Sequence, residues 1–411
     1  MSKPFVAASG IIHTDELTRP VARVELWLLL AGSCMPVLGA VLLSPLLSQI
    51  SRSFAGAPAS EVLVPLVLTV PALLIAVAAP FAGRIADTLD RKRLLVVAMV
   101  AYSLFGTAPL YLVSLHTILI SRALVGLCEA AIMTCCTTLI GDYWSGPQRA
   151  RYLGLQTIVA TFAATLFIGL GGLLGGHDWR TPFWLYAVAA VLAAPMAALL
   201  PQPRRRTTVS LLRQLEPMPW RTLVEPAVIS VFGGVVFYVL LVQLSYLLAA
   251  AGVTAPSAVG GMTALMSIAT AIGAGLSARL VRRGHRPALV GEFLVAGLGL
   301  LLVCATASVP FIMAGAVLTG LAAGTLLPTL LTWAVDGLSY AQRGRGTGLW
   351  TGALFLGEFV CPLLVHWLGA ILGGLRPAIA AIAVAAIATG WLLRVPRRAP
   401  PDREASAPPL H

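Results

Sequence analysis

Charge is scarce in this sequence. Only 11% of its 411 residues are Asp, Glu, Lys or Arg, while 58% are hydrophobic and the mean hydropathy is +0.89. An ordinary soluble domain carries about 25% charged residues, so this composition excludes a water-facing globular body. Acidic residues are the scarcer sign, 16 against 28 basic, for a net charge of +12. A nucleic-acid partner would need the arginines gathered on one folded surface. Here they fall between apolar runs, which excludes that reading. The six cysteines, at 34, 128, 135, 136, 304 and 361, lack metal-ligand spacing and sit inside apolar segments, where they read as small buried hydrophobes. No metal or cofactor is expected. The histidines, at 13, 116, 177, 285, 366 and 411, occupy tails, loops and helix ends. None stands in a nucleophile and base frame, which argues against an intramembrane enzyme. Residues 1–24 lack the apolar centre and cleavage site of a secretory signal and are expected to remain as a tail.

What the chain has in abundance is long apolar runs. They lie at about 26–50, 62–82, 94–114, 117–140, 153–175, 182–200, 223–249, 258–278, 288–306, 309–334, 347–370 and 374–393. A bilayer core of about 30 Å takes about 20 apolar residues per helix, so the reading is an all-α membrane protein of twelve transmembrane helices. With the N-terminus inside, 24 of the 28 Lys and Arg residues fall in cytoplasmic segments. Only Arg52, Arg180 and Arg376 lie outside, and Arg122 sits within the fourth run. Both termini are therefore expected in the cytoplasm. The organisation expected is a tail (1–24), a six-helix bundle (25–200), a basic linker (201–222), a second six-helix bundle (223–393) and a tail (394–411).

An internal repeat supports two halves. Residues 141–155 align with 335–349 at an offset of 194, pairing Asp142 with Asp336, Gln148 with Gln342, Arg149 with Arg343, Arg151 with Arg345 and Gly154 with Gly348. A weaker echo joins 82–91 to 274–283 at an offset of 192. Both connect equivalent loops of two pseudo-symmetric bundles.

Three motifs carry mechanism. Between the second and third runs lies Gly83-Arg84-Ile85-Ala86-Asp87-Thr88-Leu89-Asp90-Arg91-Lys92-Arg93. Gly83 permits close helix approach, and Asp87 suits a helix cap or a cation across the halves. In the fourth run, Arg122 and Glu129 of Ser121-Arg122-Ala123-Leu124-Val125-Gly126-Leu127-Cys128-Glu129 stand seven residues apart, on one helix face. An intramembrane arginine is costly unless it meets water or a partner, so both are expected to look into a central cavity. Glu358 reads as the only comparable carboxyl deep in the second half. The fifth run is glycine-rich at 169–176 and is followed by Asp178-Trp179-Arg180-Thr181-Pro182-Phe183.

The Gly83 to Arg93 loop resembles the loop signature of the major facilitator superfamily, with Asp90 where that family usually has glycine. The Arg122 motif resembles the arginine signature of its proton-coupled members, and the Trp179-Arg180 junction is also similar. The fifth-helix Gly-Pro of drug and proton antiporters is missing. The resemblance nonetheless lies nearest to that twelve-helix branch and covers most of the chain. It implies alternating access, with Arg122, Glu129 and Glu358 in proton coupling and Gly83, Asp87, Arg91, Asp142, Arg149, Asp336 and Arg343 in conformational gating. It also implies a cavity lined by the first, fourth, seventh and tenth spans, where Met35, Met133, Tyr238, Gln243, Tyr246 and Trp333 are candidates. Aromatics and methionine suit a greasy, loosely specified ligand. The expected activity is proton-coupled export of a small amphipathic or hydrophobic molecule from a bacterial inner membrane by a monomer. Proton-coupled uptake of a small nutrient is the alternative. The partners implied are that small-molecule substrate, protons and the lipid bilayer.

Overall fold

The computed structural model describes residues 23–88, 90–202, 217–282 and 284–394. The N-terminal tail, most of the linker and the C-terminal tail lie outside the described residues. Twelve helices are long and apolar enough to cross a membrane. They are α1 (Arg23–Ser53), α2 (Ser60–Thr88), α3 (Arg91–Leu110), α4 (Leu115–Tyr143), α5 (Gly146–Leu174), α6 (Thr181–Leu199), α7 (Trp220–Ala250), α8 (Pro256–Val281), α9 (His285–Ala305), α10 (Val309–Val335), α11 (Tyr340–Leu372) and α12 (Leu375–Leu393).

Helix ends depart most from the apolar runs in α5 and α11, which begin at Gly146 and Tyr340 rather than near 153 and 347. Local capping explains both. Ser145 precedes α5 with Pro147 in its first turn, where the missing N–H costs nothing. Ser339 and Gln342 form a capping box at α11. Arg149 and Arg151 accordingly ride on a helix, not in a loop.

The repeat is now visible in three dimensions. The starts of α3, α4 and α6 and of α9, α10 and α12 are each separated by 194 residues, the offset found in the sequence. The packing repeats as well. Helix α1 packs on α4 and α5, α2 on α4, and α3 on α4 and α6; α7 packs on α10 and α11, α8 on α10, and α9 on α10 and α12. The two sets meet through α2 against α11 and α5 against α8, contacts exchanged by the same pseudo-symmetry.

One end of this interface is sealed. Gly172 of α5 and Gly260 of α8 approach so closely that a Cβ on Gly172 would come within 2.7 Å of the Gly260 Cα. The ends of α1 and α7 close the same side, with Leu42, Leu43, Leu46, Leu244 and Leu248 fully buried and the Ser44 hydroxyl bonded to the Leu241 carbonyl. Among the described residues no comparable packing joins α4 to α10, so these two helices diverge toward the opposite end, while α2 and α11 stay close on that side, where a Cβ on Gly348 would come within 3.0 Å of the Ala79 carbonyl oxygen.

Helix α1 is not continuous. Its α-helical turns stop at Val41, a short 3-10 turn spans Ser44–Leu46, and the helix resumes at Leu47. Pro45 lacks the N–H that would bond the Val41 carbonyl, so the ladder breaks here. The last carbonyls before the break are left without backbone donors of their own. Leu38 still accepts from Leu42, whereas Gly39 and Ala40 turn to side chains.

Candidate functional site

Those two carbonyls organise the site. Arg122 of α4 is fully buried, and its guanidinium donates in three directions: to the Gly39 carbonyl of α1 at 3.1 Å, the Val67 carbonyl of α2 at 3.1 Å and the Tyr186 hydroxyl of α6 at 2.7 Å. One side chain thus ties three helices to a fourth. A planar guanidinium with five fixed N–H donors suits this work, and lysine has no equivalent geometry. Its charge is spread over polar partners rather than left in hydrocarbon. The Tyr186 ring also lies 5.2 Å beneath the guanidinium carbon and packs 5.1 Å from Tyr102.

Glu129 occupies the next two turns of the same face. It is 1% exposed, and its carboxyl is pressed onto Gly39, where a Cβ would overlap Oε1. Gly39 is therefore required for its lack of a side chain. Oε1 has no hydrogen-bond partner among the described residues. Close by, the Tyr102 hydroxyl donates to the Met35 carbonyl at 2.5 Å. The seven-residue spacing does place Arg122 and Glu129 on one face, and both meet α1 at Gly39. The expectation that they look into an open cavity is corrected: in this conformation Arg122 and Glu129 are enclosed, because α1, α2 and α6 close over them.

The second half reaches the same place through Tyr238 of α7, whose hydroxyl donates to the Ala40 carbonyl at 2.6 Å. Glu358 of α11, 5% exposed, lies within electrostatic reach of both Tyr238 and Glu129. Glu129, Glu358 and Tyr238 all fall near the midpoints of their helices. A line of ionisable and hydroxyl groups therefore crosses from one half to the other through two consecutive peptide groups of α1.

The remaining expected residues scatter. Met35 is buried, and Met133 and Trp333 are partly exposed. Gln243 is buried and Tyr246 faces Ser51, both in the sealed end. At the divergent end Arg91 pairs with Asp142, and His285 pairs with Asp336 at 3.3 Å. Arg149 lies over Gly141, and the Arg343 Nε donates to the Leu338 carbonyl at 3.3 Å. Asp90, in the position where glycine was expected, caps α3 by accepting from the Arg93 amide at 3.2 Å. The side chains of Gly83 and Asp87 lie outside the described residues.

Sequence reasoning missed Tyr102, Tyr186 and Gly39. Its statement that Glu358 was alone also fails: Glu292 of α9 is 2% exposed, with the Thr329 hydroxyl at 2.7 Å. The signal was present, a carboxyl inside the ninth apolar run, two turns from the basic loop. Among the described residues no group of His, Cys, Asp and Glu is arranged to hold a metal.

Comparison with known proteins agrees with this architecture. A 156-residue stretch is 24% identical to the quinolone resistance protein NorA of Staphylococcus aureus (strain MRSA252), covering 37% of this chain and 40% of NorA. A 134-residue stretch is 31% identical to multidrug resistance protein 1 of Bacillus subtilis (strain 168), covering 31% of this chain and 33% of that protein. The chain thus matches well under half the length of these relatives. Among solved structures, a bacterial homologue of the human lysosomal transporter Spinster, inward-facing and unoccupied, superposes with a TM-score of 0.74 at 17% identity, covering 90% of this chain and 96% of that one. A D-xylose-proton symporter gives 0.74 at 15% identity, with the same coverage of both chains. The sequence model of the Major Facilitator Superfamily matches residues 29–255 and again 228–410, and with twelve spans in two repeating sets this chain belongs to that superfamily of membrane transporters, not to an enzyme family.

Proposed function

We propose that the protein exports a small amphipathic or hydrophobic molecule by alternating access, driven by protons that bind at Glu129. The observation that carries this reading is the meeting of Arg122, Glu129 and the Gly39–Ala40 peptide groups beneath Tyr238 of the other half. A buried carboxylate without a donor is expensive, and a protonated carboxyl much less so. Enclosure of Glu129 therefore favours the protonated form, and opening the seal lets water and protons reach it.

The charge distribution of the loops favours both termini in the cytoplasm, which turns the sealed end toward the periplasm. Rocking the halves to open that end withdraws Tyr238 from Ala40 and frees α1 to lift its Gly39 face from Glu129. Cargo entering from the cytoplasmic side meets Met35, whose carbonyl binds Tyr102 next to Glu129. Proton and cargo thereby disturb the same few groups. The names of the relatives, quinolone and multidrug resistance, favour export of such compounds over nutrient uptake. Arg91, Asp142, Arg149, Asp336 and Arg343, clustered at the divergent end, are assigned to gating. Glu358 is assigned to the coupled proton network.

The test is transport in inverted vesicles with an imposed pH gradient, using a fluorescent quinolone as probe, alongside growth of expressing cells on a panel of toxic compounds. Glu129→Gln should abolish gradient-driven flux while counterflow persists. Gradient-driven flux in Glu129→Gln equal to that of the native protein would remove the role.

A further inference from the structure

Glu292 belongs to none of the groups above. It lies on α9, seven residues from the helix start at His285, or about 10 Å along the axis, on the divergent side of the molecule. Its carboxyl is 2% exposed and turned toward α10. Thr329 and Thr325 face it from α10, and α12 has no ionisable residue between Arg376 and Arg394. The charged groups of the neighbouring helix ends are occupied with one another: Arg286 with Glu225 of α7 at 3.0 Å, and His285 with Asp336 of α10. Arg279 and Arg282 sit in the last turn and cap of α8, away from this carboxyl. No ion pair reaches Glu292 among the described residues.

Counting hydrogens shows what this arrangement requires. The Thr329 oxygen lies 2.7 Å from Glu292 Oε1 and 2.9 Å from the Thr325 carbonyl. The Thr329 hydroxyl has one hydrogen and can serve one of these two acceptors. If Glu292 is ionised, one of the two contacts sets oxygen against oxygen with no hydrogen between them. If Glu292 carries a proton on Oε1, both contacts are satisfied: Glu292 donates to Thr329, and Thr329 donates to Thr325. The remaining oxygen, Oε2, is buried without a partner, which is tolerable for a neutral carbonyl and costly for half of a carboxylate.

We propose that Glu292 is a further proton-binding site, built into the second half and separate from Glu129 and Glu358, and that the transport cycle exchanges a proton there as well. The cargo of this site is the proton itself, held on Oε1 between α9 and α10 and released to water at the divergent end when Thr329 moves away. The exchange in the cycle rests on the proton-coupled reading above, whereas the protonation of Glu292 does not.

Infrared difference spectroscopy on the full chain in lipid, titrated between about pH 5 and pH 10, reads protonated carboxyls without any transported ligand. One hydrogen-bonded carboxyl band should be present at neutral pH, be absent in Glu292→Gln, and bleach as the pH rises. Thr329→Val keeps the carboxyl and removes its partner, so the same band should move to higher frequency. Spectra of Glu292→Gln matching the native protein at every pH would overturn the proposal, as would a band that never bleaches, since that is a permanently neutral packing group. A Glu292 band that titrates normally in Glu129→Gln shows two independent sites. If Glu129→Gln leaves gradient-driven transport intact while the Glu292 band titrates, coupling at Glu129 fails and this assignment stands.

Discussion

The two halves share a backbone plan but have placed their charges differently. At an offset of 194 residues, Arg122 and Glu129 correspond to Ala316 and Ala323, both buried and apolar. The second half instead carries Glu358 on α11 and Glu292 on α9, each away from any arginine. Nearer the divergent end the same offset maps the Arg91 and Asp142 pair onto His285 and Asp336. The geometry repeats, and a guanidinium is exchanged for an imidazole. The first half is therefore braced by a permanent charge, and the second carries buried carboxyls with no such charge beside them.

The comparison breaks most severely at Arg122. Arg122→Ala deletes three hydrogen bonds among buried groups and should cost about 3–5 kcal/mol, read as lost membrane yield and a lower unfolding temperature in detergent. Arg122→Lys keeps the charge without the three directed donors, so expression should survive while transport is lost. Equal thermal stability of Arg122→Ala and the native protein would contradict the bracing role.

A smaller effect belongs to the contact between halves. Tyr238→Phe removes the hydroxyl that bonds Ala40, a change of about 0.5–1.5 kcal/mol, or about two- to tenfold in the ratio of sealed to open states. Cysteines placed at the sealed end should label correspondingly faster from the periplasmic side. Unchanged labelling would show that apolar packing alone holds the seal.

The least effect is expected at the exchanged pair. The imidazole of His285 meets Asp336 at 3.3 Å where the first half sets a guanidinium on a carboxylate. Asp336 is 68% exposed, which limits the contribution to about 0.2–1 kcal/mol. His285→Arg should make the second half resemble the first and slow the labelling of cysteines placed beside the pair by a small factor. Identical labelling in the variant would mean the pair is inert.

Much of the architecture was legible because it is written in side chains. Apolar runs of bilayer length marked each of the twelve helices, and the Asp142 and Asp336 segments disclosed the repeat with the offset that the helix starts later obeyed. The site was legible only in part. Arg122 and Glu129 declared themselves as charges in an apolar run, but their surroundings did not, since two of the acceptors are main-chain carbonyls, that of Val67 and that of Gly39 beside the break after Val41. Tyr102 and Tyr186 looked like ordinary packing aromatics until their hydroxyls were seen against the Met35 carbonyl and Arg122. Glu292 was passed over because distance from a helix end, rather than burial, is what a sequence displays.

The interrupted first helix leaves the protein with an asymmetry in how its central contact can be lost. Gly39 and Ala40 contribute oxygens that every amino acid possesses, so replacing either side chain leaves its acceptor in place. The donors have no such insurance: a single codon change at Arg122 loosens α4 from α1 within the first half, and one at Tyr238 disconnects the second half from that strip of main chain. Mutations that uncouple the two halves should thus accumulate on α7 and those that slacken the first half on α4, while lesions in α1 act by crowding or by straightening the break.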